Sequence, residues 1–159
     1  MTLPLLLSWF LTLAPILDGL GHPIPRPEVF GKTACTVALE HPDADPRMLA
    51  SALDVIAAHE GGYSTHPRGY NDGGRSCGAF QTPCQDTPME GPELGLRQAR
   101  VAARMILDSM TKCPAYPLSL YASGQCRRVR VADYYVSQIR REASTPWPAV
   151  VEPARWVGP

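Results

Sequence analysis

The stretch DPRMLASALDVIAAHEGGY, residues 45–63, decides the fold class. Asp45 is a good helix N-cap, because its carboxylate can accept from the free amides of the first turn. Pro46 suits the first helical position, where no amide is needed. Leu49, Leu53, Ile56 and Ala57 then recur at helical spacing. Gly61 and Gly62 stop the helix, which makes Glu60 its expected last residue.

Beyond that helix the composition changes. From Tyr63 to Met89 the chain is rich in Gly, Pro, Ser, Asn, Asp and Cys, which is loop chemistry. Within it, Cys77-Gly78-Ala79-Phe80-Gln81 is the compact apolar piece, with room for a short hairpin. After Pro92 a second helix is predicted over about residues 93–112, with Leu94, Val101, Ala102, Met105 and Ile106 on its buried face. Pro114 opens a short helix through Leu118, Leu120 and Tyr121, and Ser123-Gly124-Gln125-Cys126 forms a turn. A last helix is expected over about residues 129–141, with Val131, Tyr134, Tyr135, Val136 and Ile139 as its apolar positions. The expected architecture is mainly α: one small helical domain, residues 45–143, with a long loop after its first helix. Residues 23–44 are expected to be a linker or irregular arm, with one short element near Thr36 to Leu39. Residues 144–159 are expected to be a Pro-rich extended tail.

The N-terminal run from Met1 to Leu17 is almost wholly apolar. It is short for a membrane span, which needs about 20 residues, and fits the apolar region of a signal peptide over residues 1–22 better. No Lys or Arg precedes the run and no small-x-small cleavage site follows, so an uncleaved anchor is the alternative. Asp18 to His22 is the expected processing zone. Five cysteines, Cys35, Cys77, Cys84, Cys113 and Cys126, point the same way. Cys77 and Cys84, and Cys113 and Cys126, each bracket a stretch that a local disulfide would close, which suits an oxidising compartment. Four cysteines allow three pairings, and the pattern does not choose among them. Cys35 is left over, buried or paired between chains. Secretion, the periplasm, or attachment to a membrane by the N-terminal segment follows from these features together.

A formal net charge of +0 and the lack of a basic stripe exclude a nucleic-acid binder. Arg97, Arg100 and Arg104, and Arg127, Arg128 and Arg130, are expected on solvated faces.

Glu60 is the chemical candidate. A carboxylate at a helix C-terminus faces the negative end of the macrodipole, which favours the neutral acid. Glycosidic cleavage requires such an acid, because the leaving oxygen must receive a proton. Three motifs stand in order: His59-Glu60-Gly61-Gly62-Tyr63, then Ser76-Cys77-Gly78-Ala79-Phe80-Gln81, then Tyr121-Ala122-Ser123-Gly124. Over residues 46–141 this order resembles the lysozyme-like superfamily, in its lytic transglycosylase and goose-type lysozyme branch. Two departures stand out: Ala122 replaces the usual Asn of the last turn, and Ala79-Phe80-Gln81 shortens a Gly-Leu-Met-Gln form. The resemblance implies a lysozyme-like helical domain that cleaves peptidoglycan between N-acetylmuramic acid and N-acetylglucosamine. Glu60 would be general acid and base. Ser76 and Gln81 would hydrogen-bond sugar, Gly78 would let backbone and substrate approach, and Tyr121 would hold the Glu60 carboxyl. No cofactor or metal is implied, the partner is the glycan strand, and a monomer is expected.

A lytic transglycosylase, working with one carboxylate and the substrate's own N-acetyl group, is the favoured form. The alternative is a two-carboxylate muramidase. Glu-Gly-Gly-Tyr followed by Asp72-Gly73-Gly74 resembles phage-type muramidases, which would make Asp72 the second carboxylate. Asn71-Asp72-Gly73-Gly74 is equally a turn signal, and Asp86 is a weaker candidate. A zinc site from His59, His66, Asp72, Cys77 and Cys84 lacks metal-ligand spacing. A Cys77 nucleophile paired with a histidine competes with a Cys77–Cys84 disulfide. A non-catalytic wall-binding module with the same fold is the remaining alternative.

Overall fold

The computed structural model describes residues 1–18, 20–66 and 73–147. Among them are six helices and two short hairpins: α1 (Leu3–Leu11), β1 (Ile16–Leu17), β2 (Pro23–Ile24), α2 (Glu28–Leu39), α3 (Pro46–Glu60), β3 (Ser76–Cys77), β4 (Thr82–Pro83), α4 (Leu94–Lys112), α5 (Ser119–Ser123) and α6 (Arg130–Ala143). The chain is mainly helical, as the periodicity predicts.

α3 is the central element. Its start is the predicted one: the Asp45 carboxylate accepts from the amides of Arg47 (2.9 Å) and Met48 (3.3 Å). It is more deeply placed than a one-faced amphipathic helix, since every residue from Leu49 to Ala58 is buried. Alanines and Ser51 fill the faces between Leu49, Leu53 and Ile56, so neighbouring helices approach from several sides. α2 and α6 pack most extensively on it, with α4 and α1 behind.

α2 departs from the expected irregular arm. Its residues Glu28–Leu39 include Gly31, Thr33 and Thr36, whose helix propensity is low, so its pattern was weak. Burial of Ala34, Cys35, Val37 and Ala38 against the rest of the core overrides that weakness. Gly31 admits α1, since a Cβ there would stand 3.0 Å from the Phe10 ring.

The apolar N-terminal run folds as α1. Leu6, Trp9 and Phe10 are fully buried in the common core, and the Trp9 indole donates to the Thr145 carbonyl at 2.9 Å, joining the two ends of the described chain. Among the described residues no helix is long and apolar enough to cross a membrane. At the tip of the β1–β2 hairpin the Asp18 carboxylate accepts from the Leu20 and His22 amides at 2.8 Å each.

The remaining helices follow their signals with shifts of a few residues. α5 begins at Ser119, after Leu118 in a left-handed conformation, rather than at Pro114. α4 buries Val101, Ala102 and Ile106 as expected, but Leu94 and Met105 only in part. Gln98, Ala99, Ala103 and Ser109 complete its buried face instead. β3 and β4 pair antiparallel, Ser76 opposite Pro83 and Cys77 opposite Thr82, which supplies the hairpin in the long loop. Cys77 is bonded to Cys84 and Cys113 to Cys126, while Cys35 is a buried free thiol whose pKa burial raises to about 12.

One charged cluster is inside. Arg26 donates to Asp54 Oδ2 (2.6 Å), to Glu142 Oε1 (3.0 Å) and to the Leu13 and Ala14 carbonyls, while the Tyr63 hydroxyl donates to Asp54 Oδ1 at 2.8 Å. It ties the chain before α2, the middle of α3, the loop after α3 and the end of α6 to one point.

Candidate functional site

Glu60 ends α3, half-buried, with Gly61 as the residue after it. The Gly61 and Tyr63 amides both donate to the Ala57 carbonyl, and Gly62 takes the left-handed position (φ 54°). Gly61 is needed for another reason. A Cβ there would lie 2.6 Å from the Ala79 carbonyl oxygen, so the backbone of the Ser76–Gln81 turn rests directly on the end of α3. The first two sequence motifs are therefore in contact through main chain.

Side chains from α5 and α6 complete the group. The Tyr135 hydroxyl donates to Glu60 Oε1 at 2.6 Å. The Tyr121 hydroxyl, expected on Glu60, donates to the Phe80 carbonyl instead. Tyr121 still stands close enough for the Glu60 charge to reinforce the upward shift that burial imposes on its pKa. Burial first, then the hydrogen bond to Glu60, raises the Tyr135 phenol as well. Tyr121 thus fixes the turn and Tyr135 holds the acid. The reason is reach: α6 packs along α3, and Tyr135 is on its buried face.

Ser76 is half-buried in β3. Gln81, at the end of the turn with φ 48°, donates from its amide to the Gly78 carbonyl at 2.9 Å. Gly78 is buried with φ 74°, and a Cβ there would collide with the Gln98 amide at 2.6 Å. Gly78 makes room for a protein side chain, where the resemblance assigned it to substrate approach. Asp72, with Gly69, Tyr70 and Asn71, lies outside the described residues.

Gln98 was not singled out from the sequence. It is fully buried on α4; Oε1 accepts from the Ala79 amide (3.0 Å), and Nε2 donates to the Thr65 (2.9 Å) and Pro88 (2.8 Å) carbonyls. One amide side chain ties three points of the long loop to the helix behind it. A polar residue between Leu94 and Val101 on an otherwise apolar stripe was the available signal. The Tyr134-Tyr135 doublet was the signal for the Glu60 partner, since only one of two adjacent helical residues can face α3.

His59 precedes Glu60 and is half-buried, and burial lowers its pKa below the ordinary value. Its Nε2 lies 3.2 Å from the Tyr134 hydroxyl, and its ring packs edge-on to Tyr134 and tilted on Tyr135. Because Cys77 and Cys84 are joined, neither is a thiolate available to zinc or to a substrate carbon. Among the described residues no group of three or more His, Cys, Asp and Glu gathers to hold a metal. In comparisons with protein families, curated proteins and solved structures, nothing matched the chain.

Proposed function

We propose that this chain cleaves the glycan of peptidoglycan, with Glu60 as general acid and then general base. The observation that carries the reading is the Tyr135–Glu60 hydrogen bond: a half-buried carboxyl at a helix end, held by a phenol beside a glycine-bearing turn. Ordinary surface glutamates are not positioned this way, and catalytic acids must be. With Oε1 occupied by Tyr135, Oε2 carries the proton toward the leaving glycosidic oxygen. The proposed bond is that between N-acetylmuramic acid and N-acetylglucosamine, within a lysozyme-like domain.

In the favoured form Glu60 acts alone. Proton transfer to the leaving oxygen is assisted by the substrate's N-acetyl group. The Glu60 carboxylate then takes the proton of the C6 hydroxyl as that oxygen closes on C1, leaving a 1,6-anhydro end. In the hydrolytic alternative Asp72 would supply a second carboxylate. The two disulfides support an oxidising compartment, the periplasm or the exterior, where the glycan lies.

A peptidoglycan zymogram tests the reading. The wild-type chain is expected to clear the gel and Glu60→Gln to lose clearing by at least about 100-fold. Binding to sacculi without clearing would replace the enzyme with a wall-binding module. Mass spectrometry of the digest separates the chemistries: anhydro ends are expected, whereas reducing ends alone, abolished by Asp72→Asn, would establish the hydrolase.

A further inference from the structure

We infer that Tyr134 and His59 form a sugar-stacking platform beside Glu60, one that receives an uncharged N-acetylglucosamine-type ring of the strand. This rests on the proposed reading of Glu60 as the acid of a glycan-cleaving site.

Three aromatic rings run side by side here. Tyr134 and His59 meet edge-on, with centroids 5.1 Å apart and planes at 87°. His59 and Tyr135 are 5.9 Å apart at 34°, and Tyr135 in turn donates to Glu60. The strip therefore runs without a break from the acid to solvent. Tyr134 is its outer end and is 39% exposed, whereas its neighbour Tyr135 is buried to 3%. The Tyr134 hydroxyl is not what keeps the ring outside, since it already has a partner in His59 Nε2 at 3.2 Å. That contact fixes the ring's orientation and leaves it as a rigid surface with low ordering cost for a ligand.

The chemistry of the surface selects the ligand. An aromatic face is electron-rich and attracts the polarised C–H edge of a neighbour. A pyranose presents such C–H groups on one face and hydroxyls around its rim, so it stacks while its polar groups stay wet. The strip is made of phenol rings and one imidazole, and burial of His59 works against its protonation. It offers no counter-ion to the lactyl carboxylate of N-acetylmuramic acid. The ring that fits is the uncharged sugar of the alternating strand. Tyr134 is then a specificity residue that sets the register of the chain across Glu60.

The test uses the full chain with Glu60→Gln, which prevents turnover, titrated with chitotetraose in a calorimeter. Adding Tyr134→Ala is expected to weaken binding about 3–10-fold, the worth of one aromatic contact. Tyr134→Phe keeps the ring and is expected to stay within about twofold of the parent. In the Glu60→Gln parent, chitotetraose is expected to shift the Tyr134 and Tyr135 ring resonances, a readout that does not depend on the Ala variant folding. Unchanged affinity in folded Tyr134→Ala, shifts confined to other residues, or no chitotetraose binding at all would each overturn the platform. A wild-type chain that fails to clear peptidoglycan yet binds chitotetraose through Tyr134 would instead remove the enzyme reading and leave the platform standing.

Discussion

At the scale of the residue, small steric facts govern the site. Gly61 and Gly62 are adjacent and glycine for different reasons. At Gly62 a Cβ would meet open space, so Gly62→Ala bears only the left-handed backbone, about 1 kcal/mol. At Gly61 a Cβ would strike main-chain atoms of Ala79 at 2.6–2.9 Å, which must move. Gly61→Ala is expected to reduce peptidoglycan clearing far more than Gly62→Ala, and equal clearing by the two would contradict the contact. Gln98→Leu keeps the volume and strips partners from three backbone groups, one amide and two carbonyls. At about 1–3 kcal/mol for each group left buried, a clear drop in melting temperature is expected. Amide exchange should quicken at Ala79 first. Glu60 itself was legible as a helix-end carboxylate from the glycines that follow it. Its partner was not, because Tyr121 and Tyr135 both stand in plausible places and only the packing of α6 on α3 chooses.

Among the elements, the β3–β4 hairpin and its disulfide form the lever on the site. Cys77–Cys84 closes a short loop, seven residues apart, and is worth about 2–3 kcal/mol. Cys113–Cys126 joins the end of α4 to the turn before α6, thirteen residues apart, and is worth about as much. Their functional weight differs, because only the first holds the Ser76–Gln81 turn that lies on the end of α3. The double substitution of Cys77 and Cys84 by Ser is expected to lower both melting temperature and clearing rate. The same change at Cys113 and Cys126 is expected to lower the first and largely spare the second. Parallel thermal melts and turbidity assays would show it. The elements themselves were unevenly visible. α3 announced both ends through Asp45-Pro46 and Gly61-Gly62, whereas α2 lacked a strong period and rests on burial of small residues.

For the whole molecule, the Arg26 cluster sets the pH dependence. One guanidinium faces two buried carboxyls, Asp54 and Glu142, with Tyr63 donating to the first and Arg141 close enough to act on the second. Burial, then the nearby Asp54 charge, raises the Glu142 pKa to about 8, and burial raises Asp54 despite Arg26. The charges of Arg26 and Arg141 and the neighbouring Ser51 hydroxyl work against this rise without cancelling it. The sign follows from linkage. The folded chain holds the Glu142 proton more tightly than the unfolded one, so its contribution is full below about pH 4.5. It declines as pH rises and is gone above about 8. Chemical denaturation at pH 5, 7 and 9 is expected to give falling stability, with a shallower slope in Glu142→Gln. A parallel slope in that variant would place the titration elsewhere.

Local signals were enough for the mainly helical class, the limits of α3, the placement of Glu60 at its end and the loop chemistry of residues 63–89. Each of these depends on neighbours in sequence: caps, glycines and periodicity. Which side chain holds Glu60, why Gly61 and Gly78 are glycines, and how Gln98 ties the loop down were decided only in three dimensions. Those contacts span 10 to 75 positions along the chain. So were the partners of the N-terminal run: its apolar composition calls for cover, and Gly31, the Thr145 carbonyl and the face of α2 supply it to α1.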